Sequence, residues 1–192
     1  SSKVLVFLML PYYTNILSTG EYGTVDALIN VGQLMIPIAS VGINNAVIRF
    51  GLEKGTDKSS VFSSGLYTIL MGFVCLAVVS PVLTLLMDFM SGYTIAVLAF
   101  VLASSLRTLC IQFALSLGYN KMYAANGIGN TFLNVILNII LLPHFRIMGY
   151  LMANIIADLV MGLVMFVLAK EHQYLISPVS RKMDRGLSKR MR

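Results

Sequence analysis

The sequence predicts an all-α fold: a polytopic membrane bundle of six transmembrane helices, the first truncated at its start. Three observations lead there. Only 11% of the 192 residues are charged while 57% are hydrophobic, whereas soluble domains carry roughly 25% charged residues; mean hydropathy is +0.82. Runs such as Val61 to Met87 and Gly149 to Ala169 come near or above the roughly 20 residues that cross a bilayer. Clusters of Gly, Pro and charge divide these runs and leave only short connections, so consecutive helices should be antiparallel neighbours.

The first helix is read over Ser1 to Leu17. Lys3 followed by VLVFLML superficially resembles a secretory leader, but PYYT follows in place of a small-residue cleavage site. We therefore read a membrane helix already cut at its start, and the chain as a fragment. LSTGEYG breaks the hydrophobic pattern as a hairpin, and the second helix spans Thr24 to Phe50. Val61 to Met87, Tyr93 to Leu117, Tyr123 to Leu142 and Gly149 to Ala169 complete the set. Residues 1–169 form the bundle and 170–192 a basic tail, with no soluble domain between helices.

Lys and Arg are retained on the cytoplasmic side, so their distribution orients the bundle. Arg49, Lys54 and Lys58 flank the second connection and Lys121 sits in the fourth. Lys170, Arg181, Lys182, Arg185, Lys189, Arg190 and Arg192 crowd the tail. The first and third connections have none, and the fifth has only Arg146. Both ends are expected in the cytoplasm of a multi-pass plasma (inner) membrane protein. The formal charge of +6 is thus a topology signal with membrane lipids as the tail's partners, and nucleic-acid binding is not expected.

Membrane helices keep polar residues for places without lipid, so their spacing informs. In the second helix Asp26, Asn30, Gln33, Pro37, Ser40 and Asn44 recur every three or four residues and keep one face polar. The fifth carries Asn126, Asn130, Asn134 and Asn138; the fourth gathers Ser104, Ser105, Arg107, Thr108, Gln112 and Ser116; the sixth adds Asn154 and Asp158. Any single Asn is explained by hydrogen bonding between helices, worth on average about 0.6 kcal/mol. The set as a whole suits a water-accessible cavity.

An ionisable residue at mid-membrane costs roughly 2.5–3.5 kcal/mol on an insertion scale. Arg107 lies about 21 Å and Asp158 about 14 Å from the outer ends of their helices at 1.5 Å per residue, an offset of about 7 Å. Two uses stay open. The residues pair with each other, or Arg107 faces the cavity as an anion ligand, its planar fork suited to phosphate, while Asp158 binds a coupling Na+ or H+. Arg49 sits at a helix end where snorkelling explains it.

No enzyme is expected, since GxSxG, HExxH, phosphate-cradling and DDxxD motifs are absent from the sequence. Cys75 and Cys110 lack CxxC spacing and fall in hydrophobic runs, while His144 and His172 are far apart. These residues suggest neither a metal site nor a resident cofactor.

PYYTNILSTGEYG followed by GINNAVIRFGLE resembles the amino-terminal region of the Wzx-type polysaccharide flippases, in the MOP (MATE-like) exporter superfamily. The matching positions are Pro11, Tyr13, Thr14, Leu17, Ser18, Glu21, Tyr22, Gly23, Gly42, Ala46, Arg49 and Phe50. NTFLNVILNIILLPHFRIMGYLMAN resembles the family's Asn-rich fifth helix, Pro-containing loop and Gly-led sixth helix, at Asn130, Asn134, Asn138, Pro143, Gly149 and Ala153. Its loop departs from the pattern, because HFRIM lacks the glycine often found after the proline.

The resemblance covers essentially the whole chain and the first half of such a transporter. It implies a bundle that faces a second one across a central cavity, supplied by the missing C-terminal half or by another protein. It implies, as cargo, an undecaprenyl-pyrophosphate-linked oligosaccharide carried to the outer leaflet. The alternatives are a multidrug or organic-cation exporter of the same superfamily and a non-transporting membrane scaffold.

Overall fold

The computed structural model describes residues 2–40, 42–43, 47–49, 58–86 and 90–169, with side chains from Met9 onward apart from Leu83 and Leu86. Among the described residues five long helices run in chain order: α1 Ser2–Ile16, α2 Thr19–Ser40, α3 Lys58–Leu86, α4 Thr94–Ser116 and α5 Asn120–Leu168. There is no strand among the described residues.

Helix α5 is two helices joined at one residue. Arg146 alone leaves helical geometry, at φ 49° and ψ −121°, and the arms 120–145 and 147–168 run antiparallel. Asn126 bonds Met161 and Asn134 bonds Asn154, while Gly149 packs on the backbone of Leu141. The arms rise roughly 30–40 Å at 1.5 Å per residue, so each can cross a hydrocarbon core about 30 Å thick. α3, α4 and α5 are long and apolar enough to cross a membrane. With the two arms counted separately, the six predicted helices all have counterparts, and the fold is a polytopic helical bundle.

Three predicted boundaries shift for local reasons. α2 begins at Thr19 rather than Thr24, because Ser18 and Glu21 cap it and make GEYG its first turn. α2 stops at Ser40 rather than Phe50. Pro37 weakens the helix, and the Gly42 N–H reaches back to the Pro37 carbonyl at 3.3 Å with φ +68°, a conformation that suits glycine. Ile43 and residues 47–49 are helical again. The predicted loop between the fifth and sixth helices shrinks to the single residue Arg146. Asn44, Ala46, Phe50, Lys54, His172 and the tail 170–192 lie outside the described residues.

α4 is the central helix, packed against α2, α3 and α5, while α1 lies on α5 and touches α2. One apolar cluster joins α3, α4 and the end of α5 through Phe62, Ile69, Leu109, Phe113 and Met165. A second joins α2, α3 and α4 through Leu28, Met35, Leu76, Val97 and Val101. A third seats α1 through Met9, Tyr13 and Leu17 against Val25 and Leu142.

Two of the helix prolines free carbonyls that side chains then answer. Pro81 leaves the Ala77 carbonyl without its helical donor, and Ser80 Oγ donates to it at 2.8 Å. Pro143 likewise frees the Ile139 carbonyl, and the Tyr12 hydroxyl of α1 donates to it at 2.9 Å. Tyr12→Phe should therefore cost about 1 kcal/mol, the net worth of one such bond, and loosen α1. Thermal unfolding in detergent measures the first effect and proteolysis within α1 the second.

Candidate functional site

A polar cluster sits where α4 meets both arms of α5. Arg107 Nε lies 2.9 Å from Asp158 Oδ1, the two side chains being 21% and 8% exposed. This is an ion pair without hydrogen-bond alignment, since Nε lacks a hydrogen-bond partner. Ser104 Oγ donates to the other carboxylate oxygen. Arg107 Nη1 donates to Asn126 Oδ1 at 3.4 Å, and Asn126 Nδ2 in turn donates to the Met161 carbonyl at 2.8 Å. Gly162 makes the approach possible, because even a methyl there would stand 3.3 Å from the Arg107 Cα. Of the two uses left open by the sequence, the geometry displays the pairing.

The Asn ladder also has an address. Asn138 Nδ2 donates to the Asn134 side-chain and backbone oxygens at 2.8 and 2.9 Å. Asn134 Nδ2 donates to Asn154 Oδ1 across the arms at 2.9 Å, and Asn154 Nδ2 to the Tyr150 carbonyl. Asn138 is fully buried, and Asn130 is half-buried with its Oδ1 lacking a hydrogen-bond partner. The ladder works as a seam between the two arms of α5.

The strip on α2 is different. Asp26, Asn30, Gln33 and Pro37 are all exposed, while Val25, Leu28, Gly32, Met35 and Ala39 are buried on the opposite face. Asn30 Nδ2 donates to Asp26 Oδ2 at 3.0 Å. The strip ends there, since Ser40 is buried and its hydroxyl bonds the Pro37 carbonyl. α2 packs beside α3 and α4 through its buried face, so this polar face points away from them.

The motif residues cluster near the α1–α2 turn. Glu21 Oε2 accepts from the Ser18 N–H and Oγ, both at 2.9 Å, and the Glu21 N–H reaches Ser18 Oγ at 3.4 Å. This reciprocal box satisfies donors at the start of α2. Both Glu21 oxygens also accept from Arg146, through Nε and Nη2. The bidentate pair clasps the α1–α2 turn to the reversal of α5 and holds Arg146 in its left-handed conformation. Tyr13 is buried, its ring 5.5 Å from that of Tyr150. Thr14 Oγ1 bonds the Leu10 and Pro11 carbonyls. Tyr22 is half-buried; Pro11, Gly23 and Arg49 are exposed.

Sequence reasoning named Ser18 as a motif position but passed over its cap, Tyr12 and the partnership of Arg146. The first had a readable signal, the Ser-x-x-Glu spacing before an apolar run. The other two depend on which helix lies beside which, and a linear pattern does not carry that.

Arg146 holds the Glu21 carboxyl down at about 2 from its ordinary 4.5, chiefly through their hydrogen bonds, with Ser18 adding to the effect. A depressed folded value means that the clasp stabilises fully above pH 4.5 and is lost as pH falls toward 2. Melting temperature should fall more between about pH 4.5 and 2 for the native chain than for Glu21→Gln. At neutral pH, Glu21→Gln should melt lower than native.

A family model described as polysaccharide biosynthesis protein matches residues 1–186. No curated protein and no solved structure matches the chain significantly. The family match runs through every helix and takes in the Glu21 clasp, the exposed strip of α2, the Asn seam and the Arg107–Asp158 pair. The chain accordingly belongs to the polysaccharide biosynthesis protein family, which holds the Wzx-type flippases of the MOP superfamily.

Proposed function

We propose that the protein supplies the amino-terminal bundle of a lipid-linked oligosaccharide flippase. It would move undecaprenyl-pyrophosphate-linked repeat units across the plasma membrane for cell-surface polysaccharide synthesis, as a transporter rather than an enzyme. The observation that carries this reading is the outward strip Asp26, Asn30 and Gln33 on a bundle of this family. Polar side chains on the lipid face of a helix are costly. A second bundle facing the strip across water relieves that cost and makes a path for sugar hydroxyls.

In this reading Arg107 and Asp158 serve as a brace between α4 and α5 that can exchange partners. Pyrophosphate would compete with Asp158 for the Arg107 fork, and a coupling Na+ or H+ would take Arg107's place on Asp158. Both termini face the cytoplasm, with the basic tail against anionic lipid.

The test is reconstitution of the whole protein in vesicles with a fluorescent lipid-linked oligosaccharide in one leaflet. Native protein should equilibrate the lipid between leaflets, and Gln33→Ala and Asp26→Ala should slow it without changing melting temperature. Efflux of organic cations with no oligosaccharide movement would select the drug-exporter reading, and movement of neither the scaffold reading.

A further inference from the structure

Beside the polar strip, α2 and α3 enclose an open apolar cavity of about 760 Å³, within the range of roughly 300–1,000 Å³ usual for ligand sites. Val31, Leu34 and Ile38 of α2 face Met71, Cys75 and Val79 of α3. The side chains stand clear of the core: Leu34 is 70% exposed and Ile38 64%. Gly72 lies in its wall, where α3 is pressed so closely on α2 that an added methyl would overlap the Ala39 carbonyl oxygen. Pro37 and Pro81 lie inside the two helices that flank it.

The rim and the strip share a helix and a depth. Asn30 adjoins Val31 and Gln33 adjoins Leu34, about 9–14 Å along the helix from Ala39, which packs on Gly72 midway along α3, and so within a hydrocarbon core about 30 Å thick centred on α3. A resting phospholipid keeps its headgroup at the membrane surface, so polar side chains alongside its chain at this depth have nothing to meet. An amphiphile in transit carries its polar head through that depth while its hydrocarbon stays in an apolar setting. A groove and a polar strip side by side suit such a molecule.

We propose that the α2–α3 groove holds the polyprenyl chain of the lipid-linked cargo while its polar head travels along Asp26, Asn30 and Gln33. The proposal rests on the flippase reading and adds where the lipid portion lies. It makes Leu34, Ile38, Met71 and Val79 contacts to hydrocarbon of one lipid class rather than general lipid-facing positions.

Cys75 is a built-in reporter, exposed in the groove, whereas Cys110 is buried. In membrane vesicles carrying the whole protein, its reaction with a lipid-soluble maleimide is timed with added polyprenyl phosphate or with an equal amount of phosphatidylglycerol. Polyprenyl phosphate should slow the reaction severalfold and phosphatidylglycerol should not. Val79→Trp, at the exposed rim, should abolish the difference. A photoreactive isoprenoid phosphate should cross-link within residues 67–79 of the unmodified protein, which keeps the test independent of that variant's folding. An unchanged rate, equal slowing by the two lipids, or cross-linking elsewhere overturns the groove assignment. If that happens while native protein still moves oligosaccharide and Gln33→Ala slows it, the groove fails and the flippase reading stands. Protection of Cys75 without oligosaccharide movement leaves the groove and removes the flippase reading.

Discussion

Asp158→Ala should destabilise the bundle by roughly 3–5 kcal/mol, the cost of breaking a buried ion pair from one side. The reverse change, Arg107→Ala, should cost less. A guanidinium that has lost its carboxylate partner has no neutral form within reach. A carboxylate that has lost its guanidinium still keeps the Ser104 hydrogen bond. The double replacement should be more stable than Asp158→Ala alone, because it leaves no orphaned charge. Detergent melting curves of the four proteins check this order, and Arg107→Ala melting below Asp158→Ala would contradict it. Because Arg107→Ala is the gentler change, it also isolates function: folded and inserted, it should move lipid-linked oligosaccharide more slowly than native. Unchanged movement would take Arg107 out of the mechanism.

Gly72→Ala is the second large effect. A methyl at this position runs into the Ala39 carbonyl oxygen, a backbone atom that no rotamer change can move aside. α2 and α3 must separate, and the loss should be about 3 kcal/mol, the upper end of what overpacking ordinarily costs. Gly127→Ala is the matched control. It lies in α5 with nothing within 4 Å of the added methyl, so helix propensity alone should leave it neutral or favour it by up to about 1 kcal/mol. Melting temperatures that fall equally in both variants would show that the α2–α3 contact is not as close as described.

The helix count was legible because apolar runs and short polar breaks are local features. The Arg107–Asp158 pair was legible as one of two uses because helix direction and rise per residue fix depth, as the 2.9 Å approach shows. What linear spacing could not give was azimuth. Asn134 and Asn138 look like a wet ladder by their fourfold spacing, yet the one-residue reversal at Arg146 turns them onto Asn154. Ser40 continues the α2 stripe by spacing, but it is buried in the last turn of α2, where its hydroxyl turns back to the Pro37 carbonyl. The start of α2 was misplaced by five residues because glycines in STGEYG suggest a turn, while the Ser18–Glu21 box makes the same residues a helix start.

The central claim is that the Asp26–Asn30–Gln33 face of α2 meets water within the membrane. The most direct test is thiol accessibility in the whole protein, starting from Cys75→Ser so that, within residues 1–192, the buried Cys110 alone remains. Asn30→Cys and Gln33→Cys should react with a charged, membrane-impermeant thiol reagent, and lipid-linked oligosaccharide should slow both reactions. Leu34→Cys, one residue away on the groove rim, should react only with a lipid-soluble reagent. If the charged reagent fails at positions 30 and 33, or reacts equally at 34, the strip is not the wall of a water-filled path.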